Sequence, residues 1–77
     1  MEAITIGRRS DCDVVIEDAT VSRHHARLRR RPSGTWLVED LHSKNGTAVN
    51  GVPIAGPTRI EAGDVLGFGA RAMRFGG

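Results

Sequence analysis

Leu41-His42-Ser43-Lys44-Asn45-Gly46-Thr47-Ala48-Val49-Asn50-Gly51-Val52-Pro53-Ile54 holds two Asn-Gly pairs among short apolar stretches. Asn-Gly favours tight turns because both residues accept a positive φ at low cost. Asn50-Gly51 stands between Ala48-Val49 and Val52, which predicts a two-residue β-hairpin. Asn45-Gly46 lies in the polar run Leu41 to Thr47, which is too rich in side-chain donors to be a turn alone. A binding loop is expected there.

The apolar segments on either side are equally short. Ala3 to Ile6 ends at Gly7, and Val14 to Ile16 stops at Glu17-Asp18. His25 to Arg30 alternates, with Ala26 and Leu28 on one side and Arg27 and Arg29 on the other. Thr35 to Leu41 follows the turn Pro32-Ser33-Gly34; beyond the hairpin come Thr58 to Ile60, Val65 to Phe68 and Arg71 to Phe75. Such runs, separated by Gly, Pro, Asn and Asp, predict an all-β antiparallel β-sandwich or barrel. No stretch sustains a 3.6-residue apolar period over three turns, so no long helix is expected.

Seventy-seven residues predict a single domain, 1–77, with one core. A chain of this size buries only about 60–65% of its unfolded surface, near the lower limit for unaided folding. No run approaches the length of a membrane span, and no basic-then-apolar leader opens the chain, so no membrane partner is expected. One cysteine, Cys12, cannot form an internal disulfide, which fits a reducing, cytoplasmic compartment. The formal net charge of +2 is too mild to demand a nucleic-acid partner. The basic residues are almost all arginine, whose planar fork suits phosphate and carboxylate.

Three polar clusters interrupt the strands: Gly7-Arg8-Arg9-Ser10, Thr20 to His25, and His42 to Thr47. Together they offer what is needed to hold an oxyanion and a peptide backbone. Arginine binds phosphate through two charge-assisted hydrogen bonds. Serine hydroxyls and loop N–H groups complete an anion nest, and an asparagine amide matches a peptide bond. Other readings fit less well. Ser22 and His25 as nucleophile and base lack an elbow motif. Three histidines without suitable carboxylate or cysteine spacing predict neither a metal site nor a cofactor; His24 and His42 read as solvent-exposed. Arg27, Arg29 and Arg31 form a basic stripe, read as a solvated face, and Trp36 and the phenylalanines read as core rather than a base-stacking platform.

Gly7-Arg8, Ser22-Arg23-His24-His25, Ser43 to Thr47 with Asn50, and Gly63-Asp64 resemble, in order and spacing, the signature of the forkhead-associated (FHA) domain. The resemblance covers Ala3 to Phe75 and implies an eleven-stranded β-sandwich that binds phosphothreonine peptides through loops at one end. It assigns Arg8 to the phosphate and Ser22 to a phosphate oxygen. Arg23 and Lys44 would add phosphate contacts, and Asn45 would bond the peptide backbone. Gly7, His25, Gly46 and Thr47 would support the site without touching ligand, and Thr20 would help select a flanking peptide residue. The implied protein is a non-enzymatic module of Ser/Thr-kinase signalling, whose partners are phosphothreonine proteins, a Ser/Thr kinase or its substrates. A phosphothreonine offers about −1.5 to −2 charge and three acceptor oxygens, so binding should switch on with phosphorylation.

Two departures from the family pattern stand out. Met1 lies six residues before Gly7, where relatives carry one or two further strands. The expectation is therefore a short, bacterial-type form, or a piece of a longer chain, with an open sheet edge inviting a homodimer or neighbouring domain. Association through that edge without phosphopeptide binding is the rival function. Lys44 stands where threonine or leucine is common, adding positive charge.

Overall fold

The computed structural model describes residues 3–76; Met1, Glu2 and Gly77, which the expected 1–77 boundaries include, lie outside them. Nine strands follow in order: β1 (Ala3–Gly7), β2 (Val14–Val15), β3 (Ala26–Arg30), β4 (Trp36–Asp40), β5 (Thr47–Val49), β6 (Val52–Pro53), β7 (Thr58–Ile60), β8 (Val65–Phe68) and β9 (Arg71–Arg74). They form a five-stranded sheet, β2-β1-β3-β4-β7, and a four-stranded sheet, β6-β5-β8-β9. Among the described residues there is no helix, and so none able to cross a membrane. The fold is an all-β sandwich.

Strand alternation explains the packing. On β3, Ala26 and Leu28 are buried while Arg27 and Arg29 point outward, where both meet Glu39 of β4. Arg27 Nη2 lies 3.1 Å and Arg29 Nε 3.0 Å from Glu39 Oε1, although the latter is not aligned for a hydrogen bond. The anticipated arginine stripe is therefore interrupted by a carboxylate, and Arg31 falls beyond the end of the strand. Ile6, Ala26, Leu28, Val38 and Ile60 of the first sheet meet Leu66 and Phe68 of the second, with Val21 from a loop, in one core. Trp36 packs half-buried at its margin, 5.7 Å centroid to centroid from Phe75.

The Asn50-Gly51 turn forms as expected. Val49 pairs with Val52, and φ is +51° at Asn50 and +82° at Gly51, the positive pair a tight hairpin needs. The Asn50 side chain also reaches the next segment: its Oδ1 accepts from Val65 N at 2.9 Å and its Nδ2 donates to Asp64 Oδ1 at 3.1 Å. One short pairing departs from the otherwise antiparallel pattern. β2 runs parallel to β1, pairing Ile6 with Val14 and Gly7 with Val15, so the sheets are not wholly antiparallel. The cause is local. The chain turns back after Gly7, and the Asp13 carboxylate accepts from Thr5 N at 2.9 Å and from Thr5 Oγ1 at 3.1 Å. The chain therefore re-enters the sheet upstream of the residues it has just left, and continues in the same direction.

Candidate functional site

At one end of the sandwich, four loops are tied to one another by hydrogen bonds. The loop after β1 meets the segment before β3: Arg8 N donates to Ser22 O at 3.0 Å and Arg9 N to Arg23 O at 3.2 Å. That approach requires Gly7. A Cβ there would stand 2.1 Å from Arg23 O and 2.9 Å from Cys12 Sγ, so any side chain would push the two loops apart.

Arg8 is exposed, and its Nε donates to Val21 O at 3.1 Å. This bond orients the guanidinium and leaves both terminal nitrogens without a protein partner among the described residues. Arg8, Arg9 and Arg23 together line an open cavity of about 280 Å³. Three guanidinium groups around one depression repel each other and favour an anion. Ser22 Oγ accepts from Lys44 N at 3.0 Å, which leaves its own proton to donate. Asn45 Nδ2 donates to Thr20 O at 2.8 Å, fixing the amide while Oδ1 and the second N–H remain available. The Lys44 side chain is exposed.

His25 holds two of these loops together from below. It is wholly buried, its Nδ1 accepts from Ser22 N at 3.0 Å, and its Nε2 donates to Gly46 O at 2.8 Å. The backbone donor at Nδ1 dictates the tautomer, since the proton must then sit on Nε2. With both nitrogens committed to backbone, His25 has no lone pair for Ser22 Oγ and is not placed to act as its base. Its ring also meets the edge of Phe68, centroid to centroid 5.7 Å.

Two contributors escaped the sequence reading. The first is Asp40, at the end of β4. It accepts from Ser43 N at 3.0 Å, from Ser43 Oγ through a very short bond, and from buried Thr47 Oγ1 at 2.7 Å. Ser43 Oγ in turn accepts from Gly46 N at 2.9 Å, so Asp40 organises the whole Ser43–Thr47 loop. Burial works against its charge, but the Ser43 and Thr47 hydrogen bonds outweigh it and hold the carboxyl below the usual carboxylate range. The second is the β8–β9 turn. Ala70 N donates to Thr20 Oγ1 at 2.8 Å, and Thr20 Oγ1 donates to Asp18 Oδ1 at 2.5 Å. A Cβ at Gly69, whose φ is +59°, would meet Thr20 O at 2.3 Å. The hydroxyl of Thr20 is thus spent inside the protein.

The depressed Asp40 pKa makes a prediction about acid stability. A carboxyl lower in the folded than in the unfolded state stabilises the fold above its unfolded pKa, about 3.9, and loses that contribution as pH falls through the folded value. Asp18, held low by the Thr20 hydroxyl, and Asp64, held low by the Glu61 N–H, act in the same direction. The urea midpoint should therefore drop as pH is taken from about 5 to below 4. Asp40→Asn should lower stability at pH 7 and converge on the parent protein in acid. A constant gap across that pH range would contradict this account.

Comparison with known proteins agrees with the geometry. A family model for the FHA domain matches residues 4–69. FhaB of Mycobacterium tuberculosis, an FHA domain-containing protein, is 36% identical over 74 residues, covering 96% of this chain and 47% of FhaB. A solved FHA domain studied for phosphothreonine-dependent interactions superposes with a TM-score of 0.85 at 33% identity, covering 94% of this chain and 73% of that one. Mycobacterium tuberculosis EmbR, solved in complex with a low-affinity phosphopeptide, gives 0.86 at 32% identity, covering 94% of this chain and 19% of EmbR. The chain belongs to the FHA domain family. It spans less than half the length of curated relatives such as FhaB.

Proposed function

We propose that this end of the sandwich binds phosphothreonine-containing peptides, as a non-enzymatic recognition module in Ser/Thr-kinase signalling. The observation that carries the reading is the cavity lined by Arg8, Arg9 and Arg23, with Ser22 joined to it through the bond from Arg8 N to Ser22 O. In this reading the Arg8 terminal nitrogens take two phosphate oxygens and Ser22 Oγ–H donates to a third. Arg23 and Lys44 add positive charge around the anion. Asn45, fixed by Thr20, presents its free carbonyl and N–H to the peptide backbone. Gly7, His25, Gly46 and Thr47 hold these groups in place, and Thr20 shapes the wall facing a flanking residue. Similarity to FHA domains solved for phosphothreonine-dependent interactions and with a phosphopeptide supports the assignment.

The test is a titration of isotope-labelled domain with a degenerate phosphothreonine peptide pool, read by amide shifts. Unphosphorylated and phosphoserine pools serve as controls. Shifts at Arg8, Ser22 to His25 and Lys44 to Thr47 are expected with phosphothreonine, the same shifts at higher peptide concentration with phosphoserine, and none with the unphosphorylated pool. Phosphoserine lacks the γ-methyl, and losing its packing should cost about 1 kcal/mol, roughly fivefold in affinity. A folded domain showing no shifts would reject the reading.

A second reading rests on β9, which at four residues is the longest of the sheet-edge strands β2, β6, β7 and β9. Its outer backbone groups could accept a further strand, from a second copy or a neighbouring domain. Concentration-dependent sedimentation, unchanged by phosphopeptide, is the result this alternative requires.

A further inference from the structure

Outside the phosphate-facing cavity, the fold brings the imidazole of His24 beside the carboxylate and thiol of the adjacent pair Asp11-Cys12. The ligand atoms of Asp11, Cys12 and His24 all lie within 4.8 Å of one another. We infer that these three side chains form a binding site for a divalent cation of the zinc class.

The donor set carries the inference. One sulfur, one imidazole nitrogen and one carboxylate oxygen suit zinc-like ions and not magnesium or calcium, which take oxygen ligands. Three protein ligands with an open fourth position for water is an established zinc arrangement. The two segments that supply them are already fastened together. Asp11 and Cys12 sit in a turn closed by Cys12 N donating to Arg9 O at 3.1 Å, and Arg9 N ties that turn to Arg23, beside His24, at 3.2 Å. His24 Nε2 already faces the carboxylate, 3.3 Å from both Asp11 oxygens.

Zinc–ligand bonds of about 2.0–2.3 Å require the donors to close in from their present spread. Asp11 and His24 are exposed, so closing on buried Cys12 requires them to exchange their present contacts with each other and with Arg9 for the cation. The thiol now donates to Arg23 O at 3.3 Å, and burial, then the Asp11 charge, raises its pKa. A bound cation takes the place of the thiol proton, which leaves to solvent. Thiolate and carboxylate then balance the two positive charges. Arg9 opposes binding, since its Nε lies 3.5 Å from Asp11 Oδ1 and competes for the same oxygen.

The test adds cobalt(II) chloride to the domain without any peptide, so its outcome is independent of the phosphopeptide reading. A near-ultraviolet thiolate-to-cobalt charge-transfer band, with the visible intensity of a four-coordinate site, is expected, and zinc chloride should displace it. Cys12→Ser should remove the band. Because Cys12 is buried, the deciding variant is the exposed His24→Gln, expected to weaken cobalt affinity roughly tenfold or more. Absence of the band from the parent protein, or equal cobalt affinity in His24→Gln, would overturn the site.

Discussion

Arg8→Ala should reduce phosphothreonine-peptide affinity roughly a hundredfold while leaving the amide spectrum of the free domain nearly unchanged. The size follows from what the residue holds. Removing one partner of a close, hydrogen-bonded charge pair costs about 2–5 kcal/mol, and about 3 kcal/mol corresponds to two orders of magnitude. The fold should survive because Arg8 is exposed and gives up only the bond from Nε to Val21 O. Arg8→Lys should recover little, since an ammonium keeps the charge but not the planar two-pronged donor. Calorimetric titration of the parent, Arg8→Ala and Arg8→Lys against one phosphopeptide measures both steps. Affinity within threefold of the parent in Arg8→Ala would place the phosphate elsewhere, with Arg9 and Arg23 the next candidates on the same cavity.

His25→Ala should be the most damaging single change to stability near the site. It removes the acceptor for Ser22 N–H and the donor to Gly46 O from a fully buried position. A buried group left unpaired costs about 1–3 kcal/mol, and the cavity left by the ring adds to that. A total of about 3–5 kcal/mol is a large fraction of the stability of a 77-residue domain. Urea denaturation should show a much lower midpoint. His25→Gln keeps a donor and an acceptor and should restore part of the loss. A His25→Ala domain as stable as the parent would mean that water replaces both bonds, and that the ring is not what holds the loops together.

Legibility in the sequence followed the range of the interactions involved. The strands lie close to where alternation and turn residues placed them. Asn50-Gly51 forms the expected hairpin because positive φ at two successive residues is a local preference. The resemblance assigns His25 a supporting place, and the structure gives the backbone groups its ring joins, Ser22 N and Gly46 O. Asp40 was missed because nothing in Glu39-Asp40-Leu41 distinguishes a carboxylate that caps a loop from one that faces water. The close approach of Gly69 to Thr20 joins positions far apart in the chain, which no local pattern records.

The residues alone determined the all-β class, the turn positions and the set of polar side chains held in loops, since each depends on neighbours a few positions away. The tertiary structure decided that β2 runs parallel to β1, that Glu39 intercepts Arg27 and Arg29, and that Asp11 and Cys12 face His24. Those outcomes depend on which distant segments meet. A short strand in a small sandwich records in its pattern which face is buried, but not which partner lies across it.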